Sequence, residues 1–403
     1  MRTPVILILA GALLAVAGVG GWVAADRLMG DDGGPVVTPT PTRTGTATPS
    51  ASGTPGAGGP TLLYREFGSG ADTLWVAPAA SPTDRKSVAQ IEHAPDWGIV
   101  ASLSPDGNLV AYLVLTPGSQ DPDREAQAWV LDVRSGEKRH LADGIDLRTR
   151  PVWSPESDAV VVARNGPQGQ TGGEISLMGV NVTDGSEDVL RTEPDVLGLF
   201  PIGYSVAPAV GGALVYARIT ISGTDFGWLG TETPPLHATN ESAGAYHISP
   251  DGTRVAYLAR QRTDGRFAMR TFVTELGMPN ATLVTLSAVL EGVDHLNPVW
   301  RDNATITLGR TPDEGEAAAA ALMVSLGGGG IPEDVEPGPE QGFDVPVAWS
   351  PDGRYLVVRS FEGTSAAEPG REQLTIIEEG SERNAVGEQG SLEFIGWLSG
   401  GSR

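Results

Sequence analysis

The chain has 403 residues, with 50 acidic against 27 basic side chains, a formal charge of −23 and no cysteine. That balance excludes nucleic acid and anionic lipid surfaces as partners, because both require clustered Lys and Arg to displace counterions; cations and basic protein surfaces fit it better. The missing cysteine excludes disulfides, thiolate metal sites and cysteine nucleophiles.

In chain order, the first element is Val5 to Ala25, a run of 21 residues without a charge. As a helix rising about 1.5 Å per residue it is long enough to cross roughly 30 Å of hydrocarbon. Residues 1–30 are therefore read as one transmembrane anchor. The rival reading is a signal peptide cleaved after Val23-Ala24-Ala25, although an apolar signal core is ordinarily shorter. Arg2 precedes the run and Asp31 and Asp32 follow it, so the positive-inside rule sends the remainder to the extracytoplasmic side of a cell membrane. Cleavage would instead release it as a secreted or periplasmic protein. Residues 31–60 are almost entirely Gly, Pro, Thr, Ser and Ala, too poor in apolar surface to offset chain entropy, and form a linker.

Residues 61–403 repeat themselves. Leu103-Ser104-Pro105-Asp106-Gly107 recurs as Ile248-Ser249-Pro250-Asp251-Gly252 and Trp349-Ser350-Pro351-Asp352-Gly353, with worn copies at Trp153-Ser154-Pro155-Glu156-Ser157 and Trp300-Arg301-Asp302-Asn303. Pro presets φ, Asp accepts a local backbone hydrogen bond and Gly supplies the positive φ that closes a hairpin. Apolar runs follow each turn: Leu109 to Val114, Ala159 to Ala163, Arg254 to Leu258, Thr305 to Leu308 and Tyr355 to Val358. Positions 104, 154, 249, 301 and 350 are separated by 50, 95, 52 and 49 residues. The doubled interval predicts a degenerate copy at Tyr204-Ser205, followed by a strand over Ala213 to Ile219.

Four short strands per period of about 40 to 50 residues is the pattern of a propeller blade. The fold expected is an all-β propeller with inner strands near residues 103, 153, 205, 248, 300, 349 and 397, hence seven blades, or six if the degenerate copy is not a blade. Phe394 to Gly400 reads as an innermost strand with nothing after it. Its outer partners stand at the other end, as Leu62 to Tyr64, Thr73 to Val76 and Val88 to Ile91, so the two termini should share a sheet. Trp153, Trp300, Trp349 and Trp397 recur in register and are assigned to packing between blades. These Ser-Pro-Asp-Gly repeats resemble the bacterial TolB-like, WD-like propellers. The resemblance covers residues 61–403 and implies an extracytoplasmic interaction platform.

The chain holds no G-x-S-x-G elbow, H-E-x-x-H helix, Walker loop or dinucleotide fingerprint. No catalytic residue, metal site or cofactor is assigned. His247 directly precedes a repeat strand, and Arg148, His295 and Asp344 stand five residues before Trp153, Trp300 and Trp349, with Arg150 and Asn297 nearby. Repeat geometry directs these six toward one mouth of the central channel, where a ligand or partner would meet them. Asp121-Pro122-Asp123-Arg124-Glu125 lacks the glycine and terminal Glu of an EF-hand and reads as an exposed acidic loop. Long connections are expected at Thr116 to Gln127, Gly166 to Gly173, Arg260 to Phe267, Thr311 to Glu316 and Phe361 to Glu372, all on one face, with an irregular insertion over Gly327 to Gly342. The reading is a membrane-anchored, monomeric, non-catalytic module for interaction or ligand sensing, whose partner is a cell-envelope protein, peptide or glycan. Two rivals are a cell-envelope enzyme, such as a glycan lyase or hydrolase working at the channel mouth, and a structural subunit of a membrane complex.

Overall fold

A computed structural model describes residues 59–168, 172–205, 212–230, 235–263, 266–276, 284–285, 294–313, 315–326, 332–387 and 391–398. Among them no helix is long and apolar enough to cross a membrane. The expected anchor and most of the expected linker lie outside the described residues.

The described residues form seven sheets, each with four antiparallel strands running outward from a central axis and one of them with a fifth, parallel strand. The first takes its innermost strand from the C-terminus, Leu392–Leu398, then Thr61–Glu66, Ala71–Pro78 and Lys86–Glu92. The second comprises Val100–Leu103, Leu109–Val114, Ala126–Asp132 and Lys138–Ile145; the third Val152–Trp153, Ala159–Gln168, Gly173–Asn181 and Glu187–Val196. The fourth is Gly198–Tyr204, Leu214–Thr220, Gly223–Trp228 and Leu236–Thr239; the fifth Ala243–Ile248, Arg254–Thr263, Arg266–Glu275 and Val284–Thr285. The sixth is His295–Trp300, Thr305–Arg310, Leu322–Ser325 and Glu333–Asp334; the seventh Gly342–Trp349, Tyr355–Phe361, Glu372–Glu378 and Glu382–Ala385. The short strand Ala318–Ala319 leaves the sixth blade and adds in parallel to Gly342–Phe343, tying the last two blades together. Successive blades touch around the whole circuit, so the sheets close into a seven-bladed propeller. The degenerate copy at Tyr204-Ser205 is a true blade, which removes the six-bladed alternative.

Closure follows the expected shared sheet. Leu62 pairs with Trp397 and Tyr64 with Phe394, and Leu62 and Tyr64 pack with Leu392, Phe394, Tyr355 and Val357 between the first and last blades. A strand that would otherwise expose a row of unpaired amides is thereby covered.

The repeated turn works through its serine. Ser104 donates to Asp106 at 2.6 Å and accepts from the Leu109 amide at 2.9 Å; Ser249 does the same with Asp251 and Arg254, and Ser350 with Asp352 and Tyr355. Gly107, Gly252 and Gly353 take positive φ of 74°, 64° and 69°, which favours glycine. In the worn third blade Ser157 accepts φ 60°. Each of three in-register tryptophans reaches back one blade: Trp153 Nε1 donates to the Ser102 carbonyl, Trp300 Nε1 to the His247 carbonyl and Trp349 Nε1 to Thr307 Oγ1. The ring is thus stitched by hydrogen bonds as well as by apolar contact.

Of two expected long connections, the described residues 166–168 and 260–263 are strand, while 169–171 and 264–265 lie outside the described residues. Residues Gly166 and Arg260 lie inside Ala159–Gln168 and Arg254–Thr263, whose hairpins extend beyond the blade body. The runs Arg164 to Gln168 and Arg260 to Thr263 carry no apolar alternation, and composition does not separate such a strand from a loop. Of the expected insertion over Gly327 to Gly342, residues 327–331 lie outside the described residues, and Glu333–Asp334 form the outermost strand of the sixth blade.

Candidate functional site

The innermost strands bulge at a common level. Register shifts lie between Leu63 and Tyr64 opposite the C-terminal strand, between Pro201 and Gly203, Gly244 and His247, Leu296 and Val299, and Pro346 and Ala348. A bulge releases main-chain groups from the ladder and re-aims side chains. Ala245 and Asn297 take positive φ of 51° and 32° there, a strain worth on the order of 1 kcal/mol or more per non-glycine residue.

Of the six expected residues, Arg150, His247 and Asn297 stand at this level, the last two in contact. Arg150 reaches from the third blade past the second to donate from Nη2 to the Ile395 carbonyl of the first at 3.0 Å. His247 of the fifth blade has Nε2 3.3 Å from Asn297 Oδ1 of the sixth, and Asn297 Nδ2 donates to the Pro346 carbonyl of the seventh at 2.7 Å. Arg150 is exposed to the channel, yet the surrounding strands crowd it so that burial lowers its pKa, partly offset by Glu393. Burial likewise pushes His247 down to about 4, opposed by the Asn297 bond and reinforced by the Arg150 charge.

The other three are placed elsewhere, because the position five before the tryptophan points into the sheets. Asp344 is fully buried and held by Arg383 at 2.7 and 2.8 Å and by Ser360 at 2.8 Å, an ion pair within the seventh blade. His295 is fully buried; its Nδ1 accepts the Thr271 amide at 3.0 Å, so Nε2 carries the proton, and Nε2 has no partner among the described residues. Arg148 grips Asp146 through Nε and Nη2 at 2.9 and 2.8 Å and lies 3.2 Å from Asp123.

Burial, followed by the charge of Arg270, lowers His295 to about 4. In the unfolded chain both imidazoles return to 6.5, so between 6.5 and about 4 the unfolded state takes up protons that the native state refuses. Stability present above that window is lost as pH falls through it. The melting temperature should drop on acidification from about pH 7 to about pH 4.5, with His295 contributing at most about 3 kcal/mol. Scanning calorimetry of His295→Gln across that range should give a flatter profile; slopes identical to the unsubstituted protein would remove His295 as the cause.

Arg148 also borders a cleft of about 310 Å³ with Trp97, Gln120, Asp121, Pro122 and Asp123. Trp97 comes from the link between the first two blades, residues 120–123 from the hairpin connection of the second, and Arg148 from the link to the third. In a ring of antiparallel blades all three kinds of connection emerge on the face opposite the Ser-Pro-Asp-Gly turns. Trp97 is 41% exposed. Burial raises the Asp123 pKa; Arg148 opposes this and the carboxylates of Asp146 and Asp121 add to it. Asp121 and Glu125 fold back on their own loop, accepting the Asp123 amide at 3.0 Å and the Gln120 amide at 2.9 Å. Sequence reasoning missed Trp97. Its one signal was that, unlike the four repeat tryptophans, it stands out of register in the turn Pro95-Asp96-Trp97-Gly98.

No family model and no curated protein matches the sequence. Among solved structures, the β-propeller domain of the trilobed protease from Pyrococcus furiosus aligns over 82% of this chain and 97% of its own, at 9% identity and a TM-score of 0.52. Prolyl oligopeptidase B from Galerina marginata aligns over 83% of this chain and 51% of its own, at 11% identity and a TM-score of 0.54. TolB from Acinetobacter baumannii aligns over 84% of this chain at 14% identity and a TM-score of 0.48, and this chain spans 66% of TolB's length. At such identities the likeness shows the fold alone: the chain is a seven-bladed β-propeller, in agreement with the propeller class expected from its repeats. The Pyrococcus furiosus domain is described as having an open velcro topology, whereas here the terminal strands pair and close the ring.

Proposed function

We propose that this propeller is a non-catalytic recognition module, held on the extracytoplasmic side of a membrane by residues 1–30 and the 31–60 linker, which engages a basic segment of a cell-envelope protein or peptide. The observation that carries this reading is the cleft that joins the exposed Trp97 to Asp121 and Asp123 on the loop-bearing face. An indole face attracts a guanidinium or ammonium, and a cation there would relieve the mutual repulsion of Asp121, Asp123 and Asp146. The net charge of −23 steers basic partners inward. The channel supports the same reading. Among the described residues its histidine faces an amide, not a carboxylate, which is no general acid and base pair.

The test is binding of a fluorescent peptide rich in Lys and Arg, followed by anisotropy at physiological salt. Trp97→Ala should weaken binding about five- to thirtyfold, the loss of a cation–π contact of roughly 1 to 2 kcal/mol. An affinity unchanged by Trp97→Ala would mean that attraction is diffuse and the cleft is not the recognition site.

A further inference from the structure

The charge arrangement in the channel points to a second ligand of opposite sign, independent of the rim. Four other guanidiniums near the core are matched by carboxylates: Arg65 by Asp72 and Glu393, Arg148 by Asp146 and Asp123, Arg218 by Asp225 and Glu193, Arg383 by Asp344. Arg150 differs. Its one hydrogen bond among the described residues is from Nη2 to the Ile395 carbonyl. Glu393, the carboxylate whose field it feels, is taken by Arg65 at 2.5 Å. The Nε and Nη1 donors of Arg150 are therefore unused. The unused donors of Arg150 face the channel, where an anion can complete the fork with charge-assisted hydrogen bonds.

We infer that Arg150 is the anchor of a carboxylate-binding site in the central channel, with Asn297 and His247 at its edge. At this level Asn297 is already committed, its Oδ1 to His247 and its Nδ2 to the Pro346 carbonyl, so the open donors are those of Arg150. The charge count selects the ligand. With His247 neutral at pH 7 the site offers a single positive charge, which suits a monoanionic carboxylate rather than a dianionic phosphate. Planar two-point geometry matches the fork of a guanidinium to the two oxygens of that group. The carboxylate could belong to a free organic acid or to the end of a polypeptide chain.

Calorimetric titration of the full chain in detergent at about pH 7 separates these cases with four probes: acetate, tri-alanine with a free C-terminus, its C-terminal amide, and inorganic phosphate. One of the two carboxylate probes should bind, and the amide should not. Arg150→Gln should weaken that binding about tenfold to a hundredfold, as expected for a charge-assisted pair, whereas Arg139→Gln on the outer surface should leave it unchanged. Arg150→Lys, which keeps the charge and loses the fork, should fall between. The Arg150→Gln protein without ligand should melt no lower than the parent, since it sheds an unmatched cation; this also shows that the variant folds. Tighter binding of tri-alanine than of acetate would assign the site to a chain end, and equal binding to a small acid. The inference is overturned if neither carboxylate binds, if the amide or phosphate binds as well as the acids, or if Arg150→Gln binds them unchanged. None of these outcomes bears on the cleft at Trp97.

Discussion

Deletion of residues 392–403 is expected to abolish the cooperative monomeric fold rather than fray one blade. The C-terminal strand fills the innermost position of the first sheet, and six of its residues pair with Thr61 to Glu66. It carries Leu392, Phe394 and Ile395, exposed by 6%, 8% and 4%, into the clusters that join the first blade to the last and to the second. Burial of each such side chain is worth about 1.5 to 3 kcal/mol, so with Trp397 the strand contributes on the order of 6 to 10 kcal/mol. That rivals the roughly 5 to 15 kcal/mol by which a native domain exceeds its unfolded state. Its loss also bares the inner edge of Thr61–Glu66, with which other copies can pair. Size-exclusion chromatography and calorimetry should show aggregation or no cooperative transition. A truncated monomer melting within a few degrees of the intact chain would refute the closure argument.

Asp72→Ala should be the most damaging single substitution tested at the closure, costing about 3 to 5 kcal/mol, the usual penalty for stranding a buried charge. Asp72 is fully buried in the first blade. It accepts from Arg65 at 2.6 Å, from the Ile99 and Gly68 amides at 2.9 and 3.2 Å, and faces His93 Nε2 at 3.1 Å. Arg65 in turn holds Glu393 on the C-terminal strand at 2.6 Å, so Asp72 orients the guanidinium that clasps the two chain ends. Asp72→Asn should recover little, because its amide nitrogen must face one of these donors. Glu393→Gln, at a side chain 39% exposed, should cost far less. Chemical denaturation midpoints rank the three; equal losses for Glu393→Gln and Asp72→Ala would show that the clasp is governed by surface charge.

The architecture was legible because a propeller is a local rule applied repeatedly. Ser104, Ser249 and Ser350 each organise a turn within five residues of themselves, so the motif must recur wherever the turn does, and its interval reveals the blade. The same locality explains the errors. Whether residues 166–168 and 260–263 are loop or strand depends on pairing across a hairpin: Arg260, Gln261 and Arg262 face Met269, Ala268 and Phe267, and the polar arm by itself shows no alternation to read. The site was less legible. Arg148, His295 and Asp344 share an offset from the tryptophans, but where each points is set by its blade: the strands of His295 and Asp344 bulge at Leu296 and Pro346, and the strand that follows Arg148 does not.

By itself the sequence determined the blade period, the inward tryptophans and the sharing of one sheet by the two chain ends, and it narrowed the ring to seven blades or six, since each of these rests on spacing and on turn chemistry that neighbouring residues dictate. Only the tertiary structure decided which polar residues meet. Arg150, His247 and Asn297 come from three blades and are scattered over about 150 residues of chain, and Trp97 meets Asp121 and Asp123 across a blade boundary. Convergence of that kind is a property of the closed ring, in which distances are set by the curvature of seven sheets and not by position along the chain.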